Sequence, residues 1–225
     1  MIDRDARTKV RRAVDDYFAD RITAFQFGDR LSPVAAATHD ATVQFVIDQL
    51  SYLCDDCDDH MVAVDKATWD TVQRFLLLLD SGSELRVTEQ IHWHGSQCIA
   101  ASTLLAIGAA CWDNIHIWPI PVVCGGMVSM ILAGWRDRVG ALGPGDPWHC
   151  WPFPNLAAIR RAWDAAPVFR KLRFRSEVAE RTIRSDGYKR AQYYQFLFSW
   201  LVHSPMALLL QSLPLRSERF DVDTV

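Results

Sequence analysis

Two long apolar stretches stand out in the pattern of hydrophobic and polar positions along this chain. Residues 96–112 and 115–135 contain 17 and 21 residues, and neither stretch includes a formal charge. As α-helices rising ~1.5 Å per residue they would be roughly 26 and 32 Å long, close to the ~30 Å thickness of a bilayer's hydrocarbon core. Neither has enough polar residues to cover one face of a soluble helix. The pattern predicts a pair of transmembrane helices, with a buried core hairpin of a soluble protein as the alternative.

A short polar interruption between these stretches predicts the turn of a helical hairpin. Asp113, the single formal charge in residues 93–135, is followed by Asn114. A carboxylate costs about 3 kcal/mol at mid-bilayer and almost nothing at the interface, so the far interface is its favoured position. Pro119 and Pro121 fall in the first turn of the second helix, where a missing amide hydrogen does least harm. Four tryptophans lie near the segment ends, as an interfacial aromatic belt would place them: Trp93, Trp112, Trp118 and Trp135.

A third apolar stretch covers residues 191–215, which also contain no formal charge. Its centre reads His203-Ser204-Pro205, and Pro205 removes one helix hydrogen bond, so a kink is expected there. Basic residues before the stretch favour a third transmembrane helix with the C-terminus on the far side. The alternative is a re-entrant or interface-lying pair of half-helices.

The N-terminal part of the chain shows helical periodicity instead. Apolar residues fall on one helical face in residues 3–19, 38–53 and 65–80, and the pattern resumes near 156–163. Gly82 is placed to end the third of these helices in a left-handed conformation. No alternating strand pattern of useful length is evident. The expected N-caps of the three helices are Asp3, Thr38 and Asp65.

Charge is distributed unevenly along the chain and predicts its orientation. Residues 1–90 contain 10 Lys/Arg and 17 Asp/Glu, a balance of −7, whereas residues 136–190 contain 12 and 6, a balance of +6. The charged N-terminus has no apolar segment directly behind it, so a cleavable secretory signal is not expected. Basic residues flank the hairpin ends but not its turn, which predicts a cytoplasmic N-terminal domain: Arg86, Arg136 and Arg138.

Together these patterns predict an all-α, multi-pass integral membrane protein in five parts. Six scattered cysteines indicate reduced thiols rather than a disulfide framework. The opposite charges of the domain and the connector suggest that they dock on each other or compete for lipid. The parts are a soluble acidic helical domain (1–90), a transmembrane helical hairpin (91–135), a basic cytoplasmic connector (136–190), a third membrane segment, spanning or re-entrant (191–215), and a tail (216–225).

The connector carries the expected lipid contacts. Four basic residues occur within six positions, and each would add about 1 kcal/mol of attraction near an anionic headgroup surface. The alternative is a simple positive-inside flank without lipid recognition. No nucleic-acid-binding module surrounds the cluster, so nucleic acid is not an expected partner. The four residues are Arg170, Lys171, Arg173 and Arg175.

Two groups of residues are candidates for chemistry. Cys54, Cys57 and His60 have a Cys-x2-Cys-x2-His spacing that could supply three zinc ligands, with a fourth from His92 or His94. The alternative is a helix end with its cysteines toward the core and its aspartates toward water. His203, an ionisable group at mid-membrane depth, is a candidate for proton relay or catalysis. Its alternative role is a neutral imidazole whose hydrogen bonds are satisfied by the neighbouring Ser199 and Ser204.

Common catalytic signatures are missing, and no cofactor is predicted. The chain has no P-loop, Gly-x-Ser-x-Gly elbow, His-Glu-x-x-His motif or dinucleotide fingerprint. The sequence therefore favours a non-enzymatic membrane protein that holds a partner-binding helical domain at the bilayer, with a protein partner or a homo-oligomer. The alternatives are a membrane-embedded enzyme or a small-solute transport component that uses His203 or the Cys54/Cys57/His60 group.

Overall fold

The computed structural model describes residues 2–55, 57–112, 119–141 and 150–223, and over these residues the chain is mostly helical, as predicted. Contacts divide the chain into two compact units. The first, here called the helical unit, comprises Met1–Thr88, Asp146–Ile183 and Arg219–Val225. The second, the apolar unit, comprises Glu89–Gly145 and Arg184–Glu218. Much of the segment interpreted from sequence as a separate connector is thus grouped with the N-terminal helices.

The described residues of the helical unit form six helices. Asp3 and Asp65 cap α1 and α4 as expected, because their carboxylates accept hydrogen bonds from Ala6 N and Thr68 N. Gly82 has a φ of +66° directly after α4, in agreement with its predicted role. The helices are α1 (Arg4–Phe18), α2 (Ala24–Ala37), α3 (Ala41–Ser51), α4 (Lys66–Asp80), α7 (Leu156–Ala165) and α8 (Ser176–Ala179).

The start of α3 differs from the expectation. Its N-cap is Asp40, which accepts hydrogen bonds from Thr42 N and Val43 N, and not Thr38. Thr38 instead ends α2, and its hydroxyl donates to Asp3 Oδ2 at 3.0 Å. Helix α2 was not predicted, although Thr23 and Gln26 form a capping box at its start.

A buried ion pair joins these helices. Arg7 Nε donates to Asp40 Oδ2 at 2.8 Å, and Arg7 Nη2 donates to Ser83 O at 2.9 Å. Burial raises the pKa of Asp40, but the Arg7 guanidinium and backbone N–H donors outweigh it and hold that pKa below its usual value. Both charges have hydrogen-bond partners, which a buried pair requires.

Aromatic side chains fill the core of the helical unit. Tyr17 stacks on Phe27 at a centroid distance of 4.7 Å, and Phe18 lies 4.5 Å from Trp69. Trp69 is buried, and its indole N–H donates to Leu172 O at 3.1 Å. Burying these rings supplies much of the apolar contribution to stability, and the Leu172 contact ties the second half of the chain to the N-terminal helices.

Two strands, β1 (Glu84–His92) and β2 (Leu215–Asp223), form a two-stranded sheet that the sequence analysis did not predict. The strands run antiparallel, since Arg86 near the start of β1 pairs with Asp223 at the end of β2 at 3.3 Å. Leu85, Val87 and Ile91 do alternate with polar residues in β1. Glu89 interrupts this apolar set, so the alternation is too short to predict a strand by itself. The partner strand β2 begins more than a hundred residues later in the chain.

The apolar unit contains the predicted hairpin as helices α5 (Gly95–Trp112) and α6 (Pro119–Ala141). Both helices are long and apolar enough to cross a membrane, over Gly95–Trp112 and Pro119–Arg136. They pack antiparallel, because Arg136 near the end of α6 donates to Ser96 near the start of α5. The predicted turn at Asp113-Asn114 and the belt residue Trp118 lie outside the described residues.

The third apolar stretch forms two helices, α9 (Asp186–Val202) and α10 (Met206–Ser212), separated by His203-Ser204-Pro205. A Cβ placed on Gly134 would lie 3.7 Å from Leu197, and one on Gly126 would lie 2.5 Å from Leu201 O, so α9 runs from the end of α6 toward its start.

After the break the chain turns back along α6. Gln211, in the last turn of α10, donates to Ser129 O at 2.9 Å and accepts from Arg136 at 2.5 Å. Both ends of the α9–α10 pair therefore lie near the Arg136 end of α6. The break at Pro205 reverses the chain instead of only kinking it, so residues 191–215 do not form one continuous helix. Both alternatives for this stretch, spanning and re-entrant, stay predictions.

Candidate functional site

Five polar residues collect where α5, α6 and α10 meet in the apolar unit, and they are here called the polar cluster. Four of them are buried, and Arg136 is half-buried. Burying polar groups among apolar helices is unfavourable unless they are hydrogen-bonded, so such a concentration marks a place where the fold needs them. The polar cluster consists of Ser96, Gln97, Ser129, Arg136 and Gln211.

Side chains of the polar cluster satisfy the end of α10. Arg136 Nη2 donates to Gln211 O at 2.5 Å, and Gln97 Nε2 donates to Leu213 O at 3.0 Å. The last carbonyls of any helix have no partner within the helix, and water normally satisfies them. Here α5 and α6 supply the donors, so the end of α10 needs no water at these two carbonyls.

Two atoms of the polar cluster have unused hydrogen-bonding capacity. Ser129 Oγ and Gln211 Oε1 are buried and find no partner among the described residues. An unsatisfied buried polar atom costs about 1–3 kcal/mol. These two oxygens are therefore the atoms of the polar cluster that could accept a hydrogen bond from a water molecule.

His203 lies at the break between α9 and α10 and acts as the C-cap residue of α9. Its Nδ1 lies 2.7 Å from Ser199 O, and the residue is exposed at the surface of the apolar unit. The bonded atom of Ser199 is its carbonyl oxygen and not its hydroxyl, which donates to Phe196 O. An imidazole that donates from Nδ1 to this carbonyl fits the geometry, and the catalytic or proton-relay role of His203 stays a prediction.

The structure does not gather Cys54, Cys57 and His60 into a metal site. Among the described residues, no three His, Cys, Asp or Glu side chains are arranged to hold a metal ion. His60 Nδ1 lies 2.8 Å from Met61 O, and His60 Nε2 accepts from Asp55 N at 3.2 Å. Both ring nitrogens therefore have hydrogen-bond partners within the loop, and zinc binding by Cys54, Cys57 and His60 stays a prediction.

Two of the four basic residues proposed to contact lipid have carboxylate partners in the helical unit. Lys171 lies 2.6 Å from Asp70, and Arg175 lies 2.8 Å from Asp20. Arg170 donates to nearby backbone carbonyls, and Arg173 is exposed. Opposite charges of the N-terminal helices and of the predicted connector (136–190) thus form ion pairs within one compact unit. Anionic-lipid binding by this stretch stays a prediction.

Sequence reasoning missed most of the polar cluster and used Arg136 only as an orientation signal. Gln97 and Gln211 lie inside stretches that contain no formal charge. An amide in such a stretch is a recognisable signal, because it requires a hydrogen-bond partner in an apolar surrounding. The identity of the partners depended on the reversal after α9, which the sequence left open.

Comparisons with protein-family models, with curated proteins and with solved structures found no match to this chain. Its function is therefore inferred from its own geometry.

Proposed function

We propose that this chain is a membrane protein whose apolar unit is embedded in a bilayer and holds the helical unit at one membrane surface as a non-enzymatic, partner-binding module. The observation that supports the proposal most is the exposure of α5 and α6. Only 22 per cent of the first apolar helix window and 28 per cent of the second are buried within the protein. A core helix of a soluble protein is covered by its own chain, whereas these helices are covered only in part.

The exposed residues are large and apolar on both helices. Leu105 is 75% exposed, Trp112 88%, Ile120 69% and Ile131 64%. Soluble monomers rarely present contiguous apolar surface of this kind to water. In a bilayer these side chains would contact lipid tails, which are as apolar as the side chains themselves. Their exposure would then carry no hydrophobic penalty.

The α9–α10 pair makes the proposed topology more specific. Both of its ends lie near Arg136, so the pair enters and leaves the bilayer on one side, as a re-entrant segment does. Its break lies against Gly125, about a third of the way from the start of α6, where a Cβ would lie 3.3 Å from Ser204 Oγ. Irregular backbone inside a bilayer is tolerated where protein or a water-filled cavity covers it. At this break Ser204 is half-buried against α6, whereas His203 and Pro205 are exposed. Two transmembrane helices and one re-entrant pair place both chain ends on the same side, and the basic flanks favour the cytoplasm.

The helical unit offers a surface for a protein partner. An open cleft of about 530 Å³ lies between α1 and α2. Its rim carries both signs of charge, including Asp5, Lys9, Arg12 and Asp29. Mixed charge on an open cleft suits recognition of another polypeptide more than enclosure of a small substrate.

A pair of matched substitutions in the full-length chain tests the membrane proposal. Leu105→Arg and Val168→Arg both add a charge at an exposed apolar position, the second in the helical unit at 84% exposure. In lipid, Leu105→Arg disfavours insertion by about 2.5–3.5 kcal/mol, whereas Val168→Arg has no effect. We expect alkaline carbonate to leave the wild-type chain and Val168→Arg in the membrane pellet and to release part of Leu105→Arg. Equal behaviour of both variants, or a wild-type chain that dissolves without detergent, would refute the proposal.

Protease protection in sealed vesicles tests the topology. Epitope tags at the N- and C-termini of the full chain should both be digested or both be protected. Digestion of one tag and protection of the other would show that the third stretch spans the bilayer.

A further inference from the structure

Arg136 is a half-buried cation for which the described residues provide no carboxylate partner. Its two hydrogen-bond acceptors are Gln211 O and Ser96 Oγ, and both are neutral. No ion pair involves Arg136 in the part of the chain that the structure describes. By contrast, arginines of the helical unit such as Arg7, Arg11 and Arg181 have carboxylate partners. A counter-charge supplied by another molecule would stabilise a half-buried positive charge next to apolar helices.

The guanidinium has donors left for such a counter-charge. Arginine has five N–H donors in a planar fork, and the two contacts to Gln211 and Ser96 fix the plane of that fork between α5, α6 and α10. A held guanidinium loses little further side-chain entropy when it binds a ligand. The remaining donors are suited to two oxygens of one planar or tetrahedral anion.

Aromatic residues mark the depth at which this fork lies. Trp135 precedes Arg136 and is exposed, as is Trp93 before the start of α5. The hydroxyl of Tyr193 lies near Gly134, one turn or less from Arg136. Tryptophan and tyrosine concentrate at the headgroup level of a bilayer, and Arg136 closes the apolar window of α6. The anion present at that level in every phospholipid is its phosphate.

We propose that Arg136 binds the phosphate of one glycerophospholipid headgroup. This inference rests on the proposed membrane insertion of the apolar unit. Retention of a lipid phosphate next to Gln211 would connect lipid binding to the end of α10, because the same guanidinium holds both. Free inorganic phosphate has the same chemistry but lacks acyl chains, so it should compete only weakly.

Native mass spectrometry of the full-length chain in a maltoside detergent tests the proposal. Phosphatidylglycerol is added at increasing ratios, and the distribution of lipid adducts is measured for the wild type, Arg136→Lys and Arg136→Gln. The matched control is Arg184→Gln, which removes an arginine of the same unit whose guanidinium lies 4.5 Å from the Tyr188 ring. The wild type and Arg184→Gln should retain one lipid more strongly than further lipids. Loss of a bidentate charge-assisted contact should lower that retention about tenfold in Arg136→Gln, with an intermediate value for Arg136→Lys.

The outcomes separate the possible explanations. Retention of the first lipid by Arg136→Gln at the wild-type level would overturn the assignment. A statistical adduct distribution in the wild type would also overturn it, and that measurement does not depend on any variant. Displacement of the lipid by equimolar inorganic phosphate would show that a free anion, and not a phospholipid, is the ligand. Carbonate extraction of the wild type reports separately on membrane insertion, so an embedded chain without a retained lipid would refute this inference alone. Circular dichroism shows whether a variant has lost helix, and such a variant is excluded. The adduct distribution of the wild type then decides between retention of one lipid and statistical binding.

Discussion

Asp20 is one of the residues that join the N-terminal helices of the helical unit to its residues 146–183, and replacing it should loosen that junction. Its carboxylate accepts hydrogen bonds from Arg175 at 2.8 Å and from Arg181 at 2.8 and 2.9 Å. The same two arginines donate to Phe18 O and Val62 O, so they connect α1 to the loop before α4. The Asp20→Asn substitution removes the charge and keeps the shape. Asparagine also tolerates the left-handed backbone of Asp20, whose φ is 55°.

The expected magnitude lies between two limits. Removing one partner of a fully buried ion pair costs about 3–5 kcal/mol, and an exposed pair contributes about 0.2–1 kcal/mol. Asp20 is 18% exposed, but its two arginines are about one-third exposed, so solvent weakens the pair. Since asparagine still accepts one hydrogen bond, we expect a loss of about 2 kcal/mol, or roughly 30-fold in the local opening equilibrium.

Hydrogen exchange measured by mass spectrometry on the full-length chain in lipid nanodiscs gives the local readout. Peptides covering residues 15–22 and 174–182 should exchange roughly 30-fold faster in Asp20→Asn, while α5 and α6 are unchanged. Asp58→Asn is the control, because Asp58 is exposed and its substitution should have no measurable effect. A change of less than about threefold in Asp20→Asn would refute the view that this carboxylate holds the segment.

Acid should weaken the same junction. Hydrogen bonds from Arg181 and Arg175 hold the pKa of Asp20 below its usual value, despite the opposing effect of burial. A carboxyl whose pKa is lower in the folded state contributes stability above its unfolded pKa of about 3.9, and this is lost as the pH falls through the folded pKa. Asp80 acts in the opposite direction, because burial raises its pKa although Arg11 lowers it. The exchange difference between wild type and Asp20→Asn should therefore shrink below about pH 4.

Three further predictions concern other parts of the chain. Gly126→Ala should destabilise the packing of α9 on α6 by about 1–3 kcal/mol in thermal unfolding, because its Cβ would lie 2.5 Å from Leu201 O, whereas Gly108→Ala enters open space and should be tolerated. Trp69→Ala should cost about 3–5 kcal/mol, measured as faster hydrogen exchange across α4, and an unchanged rate would contradict its role in the core. His60→Ala should leave the zinc content, measured by elemental analysis, unchanged and well below one equivalent; stoichiometric zinc in the wild type would show that the loop rearranges.

The candidate site shows where sequence reasoning reached its limit. Arg136 was recognisable as a flank of an apolar stretch, and Gln97 and Gln211 as amides in apolar surroundings. Their contacts were not recognisable, since Gln97 reaches Leu213 O and Arg136 reaches Gln211 O across intervals of 116 and 75 residues. The zinc hypothesis rested on spacing alone, and spacing does not reveal that the backbone of the loop already uses both nitrogens of His60.

The sequence by itself determined the helices that are specified by short-range features, namely capping residues and apolar periodicity or length. The carboxylates of Asp3 and Asp65, the positive φ at Gly82 and the length of the two apolar stretches each act within a few turns, so pattern and cap were sufficient to predict them. The tertiary structure alone decided the pairing of β1 with β2 and the return of α10 along α6. Proline at position 205 interrupts a helix, but whether the chain then continues or turns back depends on what it meets. Gly126 leaves room on α6 for the backbone of α9 at Leu201, and Gly125 leaves room for the side chains of Ser204 and Leu208 at and after the break. Donors from α5 and α6 satisfy the end of α10.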